Sequence, residues 1–283
     1  MKILVFSPGY VGKKIVTGLQ NAGHDIESIK VEITDLNAVH AALDASHPDA
    51  VLNGAGRRGI PNVDWCETNQ ISTMRSNTIG ALILAQACFE KNIHMVHLGT
   101  GCVFYGESPD PAGWKESDHA NPQAVYSRTK YAADLILTEL PNVAIVRFRM
   151  PIDSEPTPEN LINKLVKYPK IIDVRNSVTV LDDLVTAVVG IIEKRGVGVF
   201  HAVNPGVMAH RDLMKLYTEI VDPNHISDWI TADALVSTGL AKRIRSNNIM
   251  QNIRLRELGI ELRPIDIALR DVMEKYARAV HSV

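Results

Sequence analysis

The sequence is short of several features that would each mark a class of protein. It has three cysteines, Cys66, Cys88 and Cys102. An odd set with no secretion signal ahead of it reads as reduced thiols of a cytoplasmic protein, not a disulfide framework. It has no charge of one sign to spare, with 30 Lys and Arg against 32 Asp and Glu and no basic cluster. That excludes nucleic acid or an anionic membrane as the main partner. The longest mostly apolar stretch, residues 79–87, falls well below the ~18 residues needed to span a bilayer, so no membrane is expected. Residues 1–6 are too short for a signal core, and Ser7-Pro8-Gly9 ends them. There is no internal repeat and no low-complexity tract. His94 and His97 resemble a metal pair only superficially. Three apart on a strand they point to opposite faces, so no metal is expected.

What is present suits one large domain, or a principal domain with a smaller cap: 283 residues, 46% hydrophobic and 22% charged. Short apolar runs alternate with helical patterns through the first half. Strands are expected at 2–6, 25–29, 31–34, 50–53, 93–98 and 143–148, and helices at 10–21, 36–46, 68–91 and 124–140. This alternation predicts an α/β fold, a doubly wound parallel (Rossmann-like) sheet with helices on both faces. After residue 150 the strands become sparse. The reading is a nucleotide-binding domain over 1–150, with segments near 176–203 returning to it, and a smaller, mostly helical C-terminal substrate lobe over 151–283.

Tyr126 and Lys130 stand one turn apart on the predicted helix 124–140, so they share a face. An ammonium there favours the phenolate and makes the phenol a usable proton donor near neutral pH. Thr100, just past the strand 93–98, can hold the same substrate oxygen through its hydroxyl.

A cofactor is expected at the other chain end. Ser7-Pro8-Gly9-Tyr10-Val11-Gly12 joins the first strand to a helix, where glycines let the backbone approach a pyrophosphate. Only two of the three usual glycines are there. Beyond the second strand, where a carboxylate would select NAD, stands Lys30. That favours NADP(H), with NAD as the alternative. Asp35 is placed to face the adenine, and Asn53-Gly54-Ala55-Gly56 offers small residues for close passage of the cofactor.

These features, with several longer runs, resemble the extended short-chain dehydrogenase/reductases. Within them the chain is similar to the dTDP-4-dehydrorhamnose reductase group, including its bifunctional 3,5-epimerase/4-reductase members of UDP-rhamnose synthesis. The runs are Pro61-Asn62-Val63-Asp64-Trp65-Cys66-Glu67, Asn77 with Gly80, Thr100-Gly101-Cys102-Val103-Phe104 and Tyr126-Ser127-Arg128-Thr129-Lys130. Arg147-Phe148-Arg149-Met150-Pro151-Ile152, Asn204-Pro205-Gly206-Val207 and Arg245-Ser246-Asn247-Asn248 complete them. The resemblance implies a reductase trio of Thr100, Tyr126 and Lys130, and an epimerase pair of Cys102 and Lys164. Asn77, in the expected long helix, is read as holding the active-site helix through a water, and it and Met150 are expected beside the cofactor. Arg245 and Asn247 offer a cation and an amide suited to a diphosphate or sugar, His210 either touches substrate or caps a helix, and Asn62 and Asn204 are expected on the same nucleotide-sugar side. A homodimer is compatible with the resemblance.

Each residue has a plainer alternative. Cys102 would be a small buried hydrophobe, and Lys164, with Lys167 and Lys170, a solvated helix face. A 4-ketoreductase without epimerase activity remains a rival, as does a non-catalytic regulatory subunit of the same fold. Cys102 and Lys164 argue against the latter, because an interaction module has no need of a proton-transfer pair.

Overall fold

The computed structural model describes residues 1–60 and 62–282. Pro61, which opens the first of the runs quoted above, and Val283 lie outside the described residues. Six short strands, β1 (Lys2–Phe6), β2 (Asp25–Ile29), β3 (Ala50–Asn53), β4 (His94–Leu98), β5 (Val143–Arg147) and β6 (Gly198–His201), form one parallel sheet. Its order is β2-β1-β3-β4-β5-β6.

The reason is visible in β1, where Ile3, Leu4, Val5 and Phe6 are all fully buried. Alternate side chains point to opposite faces. Ile3 and Val5 join a core with Leu52, Val96 and Val146, while Leu4 and Phe6 join another with Val51, Met95 and Ile145. Burying each such side chain contributes about 1.5–3 kcal/mol. Helices α1 (Tyr10–Asn21) and α7 (Leu181–Glu193) cover the first face. Helices α2 (Leu36–Ser46), α4 (Gly80–Glu90) and α5 (Val125–Leu137) cover the second. The sheet order reverses between β1 and β3, and in such sheets the crevice beyond the strand ends at that point receives ligands.

Two expected elements are different. Residues 31–34 are not a strand: Glu32 Oε1 accepts hydrogen bonds from the Thr34 backbone and hydroxyl, and the chain turns there. The helix expected over 68–91 is broken. A 3₁₀ turn (Val63–Thr68), helix α3 (Gln70–Met74) and a π-helical turn (Arg75–Ile79) precede α4. π turns of this kind are frequent at functional sites, and this one carries Asn77.

The C-terminal part contains helices α6 (Leu161–Lys167), α8 (His210–Ile220), α9 (Ala232–Ser237), α10 (Ile253–Glu257) and α11 (Ile265–His281). Three two-stranded pairs tie it together: Pro151–Ile152 with Thr179–Val180, Arg175–Asn176 with Met208–Ala209, and Ile171–Ile172 with Trp229–Ile230. Besides α7 and β6, the stretch holding Leu255, Ile260 and Leu262 also packs into the first sheet core. Among the described residues, no helix is long and apolar enough to cross a membrane.

Candidate active site

Helix α5 brings Tyr126 and Lys130 to the carboxyl end of β4. It has no side-chain cap of its own, and its first turn is held from outside. The Val125 N–H donates to Glu67 Oε1 (2.8 Å), and the Ala124 N–H donates to the Tyr105 hydroxyl (3.3 Å). One turn along, Thr78 Oγ1 donates to the Thr129 carbonyl (2.7 Å) and Asn77 Nδ2 to Thr129 Oγ1 (3.2 Å). Asn77 therefore braces the helix directly.

Thr100 follows β4 and is buried. Its hydroxyl accepts the Cys102 N–H (3.1 Å), which starts a short 3₁₀ turn, Gly101–Val103. The Tyr126 phenol lies near the same hydroxyl. Burial pushes that phenol well above its usual range. A charged Cys102 pushes the same way, while Thr100 and the Arg58 guanidinium oppose it. Lys130 is only 3% exposed. Its Nζ donates to the Leu98 carbonyl (2.7 Å) and lies 2.9 Å from His97 Nε2. Burial lowers the amine to about 8, against the opposing pull of Asp134. The amine is thus turned toward β4, and the Tyr126 phenol is displaced upward, opposite to the direction expected from the helix spacing.

Cys102 is half-buried on the 3₁₀ turn, and beneath that turn lies Arg149, 1% exposed. The guanidinium donates to the Gly101 carbonyl (3.3 Å), Ser246 Oγ (2.7 Å), the Ser246 carbonyl (2.7 Å), Asn176 Oδ1 (2.6 Å) and the Ser177 carbonyl (3.3 Å). None of these acceptors is a carboxylate. A Cβ on Gly101 would run into Arg149 and Met250, so the close approach requires glycine. The charge of Arg149 is felt by Tyr105, and Arg149 in turn feels Cys102.

Lys164 is half-buried on α6. Burial, helped by Arg58 and opposed by Glu159, lowers its amine to about 8. Arg58 is within electrostatic reach of Tyr126, Lys164 and Tyr168 alike. It links the two groups of candidates.

At the switch point Gly9 begins α1 without a side-chain cap, and open space lies where its Cβ would stand. A Cβ on Gly54 would come within 3.1 Å of the Phe6 carbonyl, so the two turns touch. Ser7 and Met150 hold positive φ, 49° and 42°, at the ends of β1 and β5. For residues other than glycine this is uncommon, and such strain clusters at ligand clamps. An uncapped helix N-terminus with glycine at its head fits a pyrophosphate. Lys30 is exposed beyond β2, and Arg57 and Arg75 act on nearby Glu32. These cations fit a 2′-phosphate.

Comparison with known proteins supplies the family. The family described as the RmlD substrate binding domain matches residues 1–277. A bifunctional dTDP-4-dehydrorhamnose 3,5-epimerase/reductase of Arabidopsis thaliana is 34% identical over 84% of this chain and 80% of its own. The chain belongs to the RmlD family. A trifunctional UDP-glucose 4,6-dehydratase/3,5-epimerase/reductase of the same plant is 31% identical over 98% of this chain, which spans only 42% of that protein's length. The crystal structure of the UDP-rhamnose synthase of Acanthamoeba polyphaga mimivirus superposes with a TM-score of 0.92 at 29% identity, covering 97% of this chain and 99% of that one.

Within this RmlD-family chain the expected residues divide. Thr100, Cys102, Tyr126 and Lys130 converge at the end of β4, and Gly9, Gly12, Ala55, Gly56 and Met150 lie along the neighbouring edge. Several others are engaged internally. Asn53 is fully buried: its Oδ1 accepts the Ala55 N–H and its Nδ2 meets His97, so it does not face a cofactor. Val11 packs on the core, and the Tyr10 hydroxyl donates to Asp153, which also pairs with Lys14 (3.0 Å). Asp35 caps α2 by accepting the Ala38 N–H.

On the substrate side, Asn62 caps the turn at Asp64, and Asp64 holds Arg245 through two bonds (2.9 and 2.7 Å). Asn204 is buried, accepting from the Val180 N–H and donating to the Arg263 carbonyl. Asn247 accepts from Asn176. Asn204 is thus satisfied inside the protein, while Asn62, Asn247 and Arg245 each hold an internal partner through part of the side chain. His210 differs: Nδ1 donates to the Ile172 carbonyl (2.8 Å), leaving a buried Nε2 with no protein partner among the described residues. Sequence reasoning passed over Arg58, Arg149 and His97. The Arg57-Arg58 pair after Gly56 was the one available signal.

Proposed function

We propose that the protein is an NADP(H)-dependent oxidoreductase with isomerase activity: a bifunctional 3,5-epimerase/4-reductase of a nucleotide-linked 4-keto-6-deoxyhexose, giving a nucleotide-L-rhamnose-type sugar. The observation that carries this reading is the meeting of Thr100 and Cys102, on one short turn after β4, with Tyr126 of α5, and the buried charge of Arg149 beneath that turn. A C4 ketone acidifies the hydrogens on C3 and C5, because either carbanion delocalises onto the same oxygen. Thr100 and Tyr126 hydrogen-bond that oxygen and stabilise the enolate. Cys102 and Lys164 exchange the protons at carbon, and an amine with a midpoint of about 8 supplies both protonation states near neutral pH.

Bound at the switch point, the nicotinamide supplies the hydride for reduction at C4. Tyr126 gives its phenolic proton to O4. The upward displacement of its pKa supports this direction, since the phenol stays protonated until the alkoxide forms.

The test is incubation of Cys102→Ser with a UDP- or dTDP-linked 4-keto-6-deoxyglucose and NADPH in heavy water. Deuterium incorporation at C3 and C5 should vanish, while the pre-epimerised ketosugar is still reduced. Undiminished incorporation would remove the epimerase half and leave a 4-ketoreductase.

A further inference from the structure

Lys130 ends a hydrogen-bond chain whose direction is fixed at its far end. The Ala55 N–H donates to Asn53 Oδ1 (3.0 Å). Asn53 must therefore turn its amide nitrogen toward His97, and Nδ2 lies 3.0 Å from His97 Nδ1. An amide nitrogen only donates, so His97 Nδ1 accepts. A neutral imidazole then carries its proton on Nε2. A doubly protonated ring would set N–H against N–H at Nδ1, and burial independently drives His97 well below its usual pKa. The Nε2 proton points at Lys130 Nζ, 2.9 Å away. Nζ accepts it while donating to the Leu98 carbonyl (2.7 Å). An ammonium has no lone pair to accept with. The docked group is a free amine.

We propose that His97 is a positioning residue that docks Lys130 as the neutral amine, so that protonating Lys130 and releasing it from His97 are one event. The proton comes from solvent and forms the third N–H bond of Nζ, while His97 keeps its own proton on Nε2. The ammonium then has to leave His97 for other acceptors. The other groups facing Lys130 are few. Asp134 acts from the same helix, and its charge is paired with Arg147 of β5 (2.9 Å). Tyr126 lies one turn back along α5. The charge that supports a Tyr126 phenolate is therefore absent while Lys130 is docked and present once it is released. The docking depends on Asn53, His97 and Lys130 and is independent of which sugar is turned over.

Nuclear magnetic resonance on the intact protein tests it without any assay of activity. With ¹⁵N-histidine label and the ring assigned through the backbone, His97 should show the Nε2–H tautomer at about pH 9, above the Lys130 midpoint, with Nδ1 as acceptor. With ¹³C-lysine label, the Lys130 midpoint in His97→Gln should rise by about one pH unit, because the glutamine amide oxygen accepts from an ammonium. A merely structural role for His97 would lower the melting temperature without moving that midpoint. An Nδ1–H tautomer, a doubly protonated ring, or a Lys130 midpoint that stays or falls in the variant would overturn the proposal. If His97→Gln does not fold, the tautomer in the unaltered protein decides alone.

Discussion

In the sheet half, the residues from Ile3 to Phe6 are apolar and sealed from water, and the same holds for Val143 to Val146. In the region around Arg149 the interior instead holds Asn160, Asn176, Ser177, Thr179, Asn204 and Asn248. The sheet half fixes its strand ends by shape and by ladder bonds, and tolerates apolar swaps that keep volume. The lobe side fixes Cys102 and the 245–248 loop by directional bonds from one buried cation, where each missing partner leaves an acceptor stranded. Lys130 reaches the end of a strand of the first kind, with α5 itself pinned by directional bonds from Glu67, Tyr105, Asn77 and Thr78, while Cys102 stands on the second.

The sharpest way to separate the two halves is by activity. Tyr126→Phe should cut NADPH oxidation with the ketosugar about 10²–10⁴-fold, the usual range for a lost general acid. Lys164→Met should stop deuterium exchange at carbon while reduction of the pre-epimerised sugar continues. Stability offers the next contrast. Arg149→Met, though similar in length, should cost about 3–5 kcal/mol in urea denaturation, because five acceptors lose their donor. Ile145→Val, in the sheet, removes a methylene and should cost only about 0.5–1.5 kcal/mol. Equal losses in the two variants would erase the distinction.

The smallest effect is a pH slope. Lys130 is lowered in the fold from 10.5 to about 8, so between these values the unfolded chain binds more protons than the folded one. Stability contributed at this site rises with pH across that window. The difference in denaturation free energy between the unaltered protein and Lys130→Met should therefore move in favour of the unaltered protein from pH 8 to 10, and be flat below pH 7.

Much of the architecture was legible because a sheet buried on both faces writes itself as short apolar runs. The interruption of the helix at Arg75–Ile79 was not, since it depends on tertiary packing: a Cβ on Gly80 would collide with Ile33. The convergence of Thr100, Cys102, Tyr126 and Lys130 followed from placing motifs on a strand end and a helix. The direction of Lys130 did not follow, because it needs His97 from a different element. Asn53 and Asn204 looked like ligand contacts for a related reason. Their residue type suits a sugar or ribose, and only the fold reveals that groups inside the protein already satisfy them. Arg149 sat in a quoted motif, yet its partner Ser246 comes from far along the chain.

The return of α7, β6 and residues 255–262 to the sheet has a practical outcome for anyone who would re-engineer the protein. The C-terminal part is not a cassette hung on the end of the sheet. A cut after residue 150 would strip the sheet of an edge strand and of much of one covering layer. Any graft would have to proceed segment by segment, with the shared framework left whole.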